Sequence, residues 1–139
     1  MNQKLLYFLT RIDSLTPIHK SKYGKMNVNQ MVCHCTDFYH TALKEISLID
    51  APKILKEKAL ILVKERKIVP TPKDINQVAG KSNKPNDFLN DTRLLKEKIT
   101  IFFNSPKVAD FSPHFYFGSL TRAQWNETSS YHLHHHLRQ

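Results

Sequence analysis

Apolar residues along the chain recur every three or four positions, the spacing of helices that bury one face. Leu5, Leu6, Leu9 and Ile12, with Phe8 beside them, predict a first helix over 3–13, ending before Thr16-Pro17. A polar loop over 14–25 follows. The clearest helix is predicted over 26–49. Asn27 is its N-cap, Gln30 completes a capping box, and Met26 and Met31 occupy the two positions of a hydrophobic staple. Its stripe runs through Met31, Cys35, Phe38, Ala42 and Ile46, widened by Val32, Tyr39 and Leu43. A face that wide belongs at the centre of a bundle.

Ala51-Pro52 breaks this helix, and a short amphipathic stretch over 53–65 carries Ile54, Leu55, Ala59, Leu62 and Val63. Val69-Pro70-Thr71-Pro72 then opens a polar connection reaching Pro85, too long for a simple turn and predicted to wrap the surface. A third long helix is predicted over 87–104, capped by Asn86 or Asp87. Phe88, Leu95, Ile99 and Phe102 align on it, with Leu94, Ile101 and Phe103 alongside. An aromatic loop over 107–120 holds Phe111, His114, Phe115, Tyr116 and Phe117, and either plugs the bundle or lines a pocket.

The last helix starts at Thr121. Thr121 and Gln124 form a capping box and Leu120 and Trp125 a staple, which sets the helix phase. With Trp125 inward, the same face continues through Thr128 or Ser129 to His132 and His136. His134 and His135 turn away from it, as rim or solvent residues. The pattern predicts an all-α fold, one domain over 1–139.

Composition narrows the picture. Only 3 glycines among 139 residues disfavour an all-β fold with many tight turns. No run of 18 apolar residues occurs, so no membrane partner is expected. The opening residues lack the apolar core of a signal peptide, which predicts a cytoplasmic location. Cys33 and Cys35 point to different sides of a helix, so they are read as unpaired residues in a reducing compartment rather than a C-x-C zinc clip. The formal charge of +9 raises nucleic-acid binding. The lysines, however, are interleaved with Glu57, Glu65, Asp74, Asp87, Asp91 and Glu97, without a dense basic block or an aromatic RNA-binding motif. A solvated lysine-rich surface is the better reading, and nucleic acid is the weakest of the partners considered.

The chemistry concentrates at the end. Four of 8 histidines lie in His132-Leu133-His134-His135-His136. His132 and His136, one turn apart, can grip one metal ion if a third ligand arrives. His34 is the proposed third, because the start of one helix lies beside the end of an antiparallel neighbour. Three neutral imidazoles leave one to three positions open, the pattern of a catalytic rather than a structural site. A second reading stands beside this one: protonated histidines complement the negative end of a helix dipole, and a helix this near the chain's end frays.

Three stretches resemble the DinB/YfiT-like metalloenzyme superfamily, in its DinB-like branch of unknown function. They are the segment from Tyr23-Gly24-Lys25-Met26 to Gln30-Met31-Val32-Cys33-His34-Cys35; Pro70-Thr71-Pro72; and His114-Phe115-Tyr116-Phe117-Gly118-Ser119-Leu120-Thr121 with Trp125 and the run from His132 to Gln139. The resemblance implies a four-helix bundle with a long crossover connection and a short extra helix. It also implies a divalent metal, nickel or zinc, held by His34, His132 and His136. By the same resemblance the protein is a homodimeric metal-dependent enzyme of hydrolase or thiol-transferase type, acting on a small-molecule substrate such as a low-molecular-weight thiol. No catalytic residue is assigned; Asp37, Tyr39, His40 and His135 are candidate bases by position. The alternative is a non-catalytic ligand-binding or stress-response bundle, its ligand held near Phe111, Phe115, Phe117 and Trp125.

Overall fold

A computed structural model of the chain describes residues 2–18, 20, 26–43, 56–65, 85–105, 111 and 119–138. Five helices occur in order: α1 (Gln3–Asp13), α2 (Val28–Ala42), α3 (Lys56–Lys64), α4 (Phe88–Asn104) and α5 (Arg122–Leu137). No strand occurs among the described residues. None of the described helices is long and apolar enough to cross a membrane. The expected break at Ala51-Pro52, the connection through Pro70-Thr71-Pro72, the segment Tyr23-Gly24-Lys25 and the aromatic positions 114–117 lie outside the described residues.

Side-chain caps start the helices where the sequence predicts. The Asn27 side chain accepts from the Gln30 N–H at 2.8 Å, while the Gln30 side chain accepts from the Asn27 N–H at 2.9 Å. Thr121 and Gln124 repeat this reciprocal box at the start of α5. Asp87, rather than Asn86, caps α4 by accepting from Leu89 and Asn90. Each cap satisfies amide donors that have no partner inside the helix.

Packing selects one face of each helix. On α1 the buried residues are Leu5, Phe8 and Ile12, and Leu6 is 52% exposed. Phe8 is therefore part of the stripe and Leu6 is not: positions 5, 8 and 12 fall within about 60° of one another around the helix, and position 6 lies about 100° from position 5. On α4, Leu95, Ile99 and Phe102 are fully buried while Ile101 faces out. α2 packs chiefly on α4, α1 on α4 and α5, and α5 against α1, α2 and α3.

The middle of the core is aromatic. Phe102 stacks on Phe111 at 4.9 Å and meets Tyr39 edge-on at 5.2 Å; Trp125 stands edge-on to Phe111 at 5.6 Å. Burying one such ring contributes ~1.5–3 kcal/mol. The Arg122 guanidinium lies 4.9 Å from the centres of both Phe102 and Phe111. It also donates to the carbonyls of Phe102 and Ser105 at 2.9 and 3.0 Å. One side chain thus caps the end of α4 and fixes the start of α5, and a cation there suits the helix dipole.

Candidate metal centre

α2 and α5 are antiparallel where they meet. His34 faces His132 and His136, whereas Tyr39, further along α2, hydrogen-bonds Ser129, earlier on α5, at 2.7 Å between hydroxyl oxygens. This is the arrangement in which the start of one helix lies beside the end of the other. The Leu120–Trp125 staple sets the rotation of α5: both residues are buried, and three turns later His136 is buried on the same side.

The three imidazoles converge. Ring centres are 5.1 Å apart for His34–His132, and 4.6 Å for both His34–His136 and His132–His136. One nitrogen from each ring lies within 4.8 Å of the others. Nε2 of His34 and Nε2 of His132 are 3.2 Å apart. Two nitrogens each about 2.0–2.1 Å from a shared tetrahedral ion stand roughly 3.3–3.4 Å apart. The observed spacing is close to that, and it also suits an N–H···N hydrogen bond between neutral rings. The three histidines lie near enough to hold one metal ion.

The surroundings favour the ligating form. Burial pushes the His34 pKa down to about 4; the nearby Asp37 carboxylate acts in the opposite sense, and His135 lowers it slightly further. The ring is therefore neutral near pH 7, with a lone pair free to ligate. His132 stacks on Phe38 at 4.7 Å with 19° between the planes. An apolar wall on one side orients the imidazole and keeps water from that face.

The end of α5 is held rather than frayed. Helix continues through Leu137, and Leu133 and Leu137 are both buried. The Arg11 guanidinium, from the last turn of α1, donates to the Leu137 carbonyl at 2.9 Å. A lone arginine 126 positions away carries no sequence signal of this contact. Its only hint is a basic residue in the last turn of α1.

The other expected residues separate. Tyr39 is fully buried, is bonded to Ser129, and has its pKa pushed well above 10 by burial. Nδ1 of His40 lies 3.8 Å from an Asp37 oxygen, which couples those two candidates. His135 stacks on Tyr131 at 6.3 Å and meets His136 edge-on at 4.9 Å, making it a rim residue. His134 packs on Phe8 at 5.0 Å, away from the trio. Phe111 and Trp125 pack on each other as core, and Phe115 and Phe117 lie outside the described residues. Cys33 and Cys35 are free buried thiols. Burial, with Asp91 and Asp37 nearby, pushes the Cys33 pKa up to about 12.

A family described as "Protein of unknown function (DUF1569)" matches residues 3–139. The chain belongs to the DUF1569 family. No curated protein and no solved structure matches it. The match runs through all five helices of this DUF1569 chain, so His34, His132 and His136 all fall within the family region.

Proposed function

We propose that this DUF1569 protein is a DinB-like metalloenzyme that holds nickel or zinc with His34, His132 and His136. The convergence of the three nitrogens carries the reading. The donor set fits: three imidazoles, at least one neutral near pH 7, suit both metals and leave open positions. In this reading α1, α2, α4 and α5 are the four helices of the bundle and α3 is the short extra one. The pairing of α2 with α4 and of α1 with α4 and α5 supports that assignment.

A divalent ion held there supplies Lewis acidity, lowering the pKa of a water or thiol brought to it. The chain's own groups then have separate tasks. His34, His132 and His136 bind, Phe38 orients the His132 ring and excludes water, and Asp37 sets the charge beside His34. His135, on the rim with its ring 4.9 Å from that of His136, is a remaining group able to move a proton. The substrate class we infer is a small molecule, a low-molecular-weight thiol in the transferase version of the reaction, with a homodimer as the expected assembly. The alternative, an apolar ligand held by the aromatic residues, is weakened because Phe111 and Trp125 are buried against each other.

Titration of metal-free protein with Zn²⁺ and Ni²⁺, followed by calorimetry, tests the reading. One ion per chain is expected, with affinity reduced by at least about a hundredfold in a His132→Ala, His136→Ala double variant, since even outer-sphere changes cost roughly ten- to a hundredfold. Equal affinity in the two proteins would refute it.

A further inference from the structure

A cavity of about 620 Å³ lies between α1, α3 and α5. It is lined by no residue of α2, the helix that carries His34. On α5 it is reached from positions 123, 126, 127, 130, 131, 134 and 138. At about 100° per residue these cluster on the side roughly opposite His132 and His136. The cavity is therefore a second feature of α5, independent of the metal reading. Its volume falls within the roughly 300–1,000 Å³ typical of small-molecule sites.

Its charge is one-sided. Among the described lining residues, Lys4, Lys64 and Arg138 come from three different helices or helix ends, and one carboxylate, Glu127, opposes them. Neither lysine forms an ion pair among the described residues. Cations converging on a concave surface raise the positive potential inside it. The floor holds a second signal. Ser130 is 7% exposed, lines the cavity, and its Oγ has no hydrogen-bond partner among the described residues. A helical serine ordinarily bonds back to the carbonyl four residues earlier, and a buried hydroxyl left unbonded is costly. Tyr7 and His134, with ring centres 5.6 Å apart, form one wall and carry further polar atoms.

We propose that this cavity binds a small organic dianion, a phosphate monoester or a dicarboxylate. Lys4 and Lys64 neutralise the charge from the rim, and Ser130 donates from the floor. Among the described lining residues the net excess of two cations suits two negative charges. A polynucleotide is the poorer fit, because the described cations meet around one concavity rather than along a stripe.

Calorimetric titration of the full chain at about 20 mM salt, with glycerol phosphate, succinate and uncharged glycerol as probes, tests this; low salt preserves the rim charges. Saturable one-to-one binding of one or both dianions is expected, with none of glycerol, and the preferred dianion tells phosphate from carboxylate. Lys4→Gln with Lys64→Gln should weaken binding roughly tenfold, as two exposed charge contacts of roughly two- to fivefold each. Ser130→Ala should weaken it without lowering the melting temperature, since the hydroxyl has no partner among the described residues to lose. His132→Ala with His136→Ala should leave it unchanged. No saturable binding of either dianion, equal affinity after the double lysine change, loss of binding in the histidine variant, or tighter binding of an oligonucleotide than of any small dianion would each overturn the proposal.

Discussion

α4 and α5 are neighbours in sequence and of similar length, yet they are buried for different reasons. α4 places Leu95, Ile99 and Phe102 in the core, with polar burial only at its start, in Asp91 and Thr92. α5 buries Trp125, Leu133 and Leu137, but also Thr128, Ser129, Ser130 and His136. Removing polar groups from water costs free energy unless each finds a partner. Ser129 has one in Tyr39, whereas the Thr128 and Ser130 hydroxyls have none among the described residues. Stability accounts for the face of α4. It does not account for the polar half of α5, which carries two of the three histidines.

The strongest challenge to this contrast is a truncation in the apolar region. Phe102→Ala should destabilise the fold by about 3–5 kcal/mol in denaturant unfolding, since it empties the centre of the aromatic cluster. A cost below about 1 kcal/mol would mean that the cluster does not hold α4 and α5 together.

Alkaline pH probes the buried neutral groups on α2. Cys33 has its pKa raised from 9.0 to about 12, and Cys35 and Tyr39 are also raised by burial. The unfolded chain loses these protons from about pH 9 while the folded chain keeps them. The folded state then binds more protons, so stability is full below pH 9 and falls as pH rises from there toward 12. Each thiol contributes a slope of about 1.4 kcal/mol per pH unit in that window. Melting temperatures from pH 8 to 11 give the slope, and a flat profile would contradict this burial.

The smallest effects separate the two kinds of buried hydroxyl. Tyr39→Phe should cost about 1 kcal/mol, because it strands the Ser129 hydroxyl. Thr128→Val removes a hydroxyl without a partner among the described residues and should cost nothing, or stabilise slightly. Equal costs in thermal melts would erase the distinction.

The caps explain how much of this was legible in the sequence. Asn27–Gln30 and Thr121–Gln124 are local chemistry, three residues apart, so the starts of α2 and α5 could be read directly. On α5 the caps mattered most, because its mixed buried face gives little apolar periodicity to count. Phase from Leu120 and Trp125 placed His132 and His136, and antiparallel pairing brought His34 to them. Local pattern failed where tertiary contact decides. Leu6 and Phe8 are equally apolar, and only packing against α4 and α5 buries one and leaves the other half exposed. The Arg11–Leu137 bond and the cavity join residues from separate helices, so no window of sequence displays them.

The central claim, that His34, His132 and His136 form one metal site, is tested most directly by X-ray absorption on the zinc-loaded protein. The account predicts three imidazole nitrogens at about 2.0–2.1 Å from a single ion. Sulfur ligation from Cys33 or Cys35, or a zinc shell with fewer than two imidazoles, would contradict it.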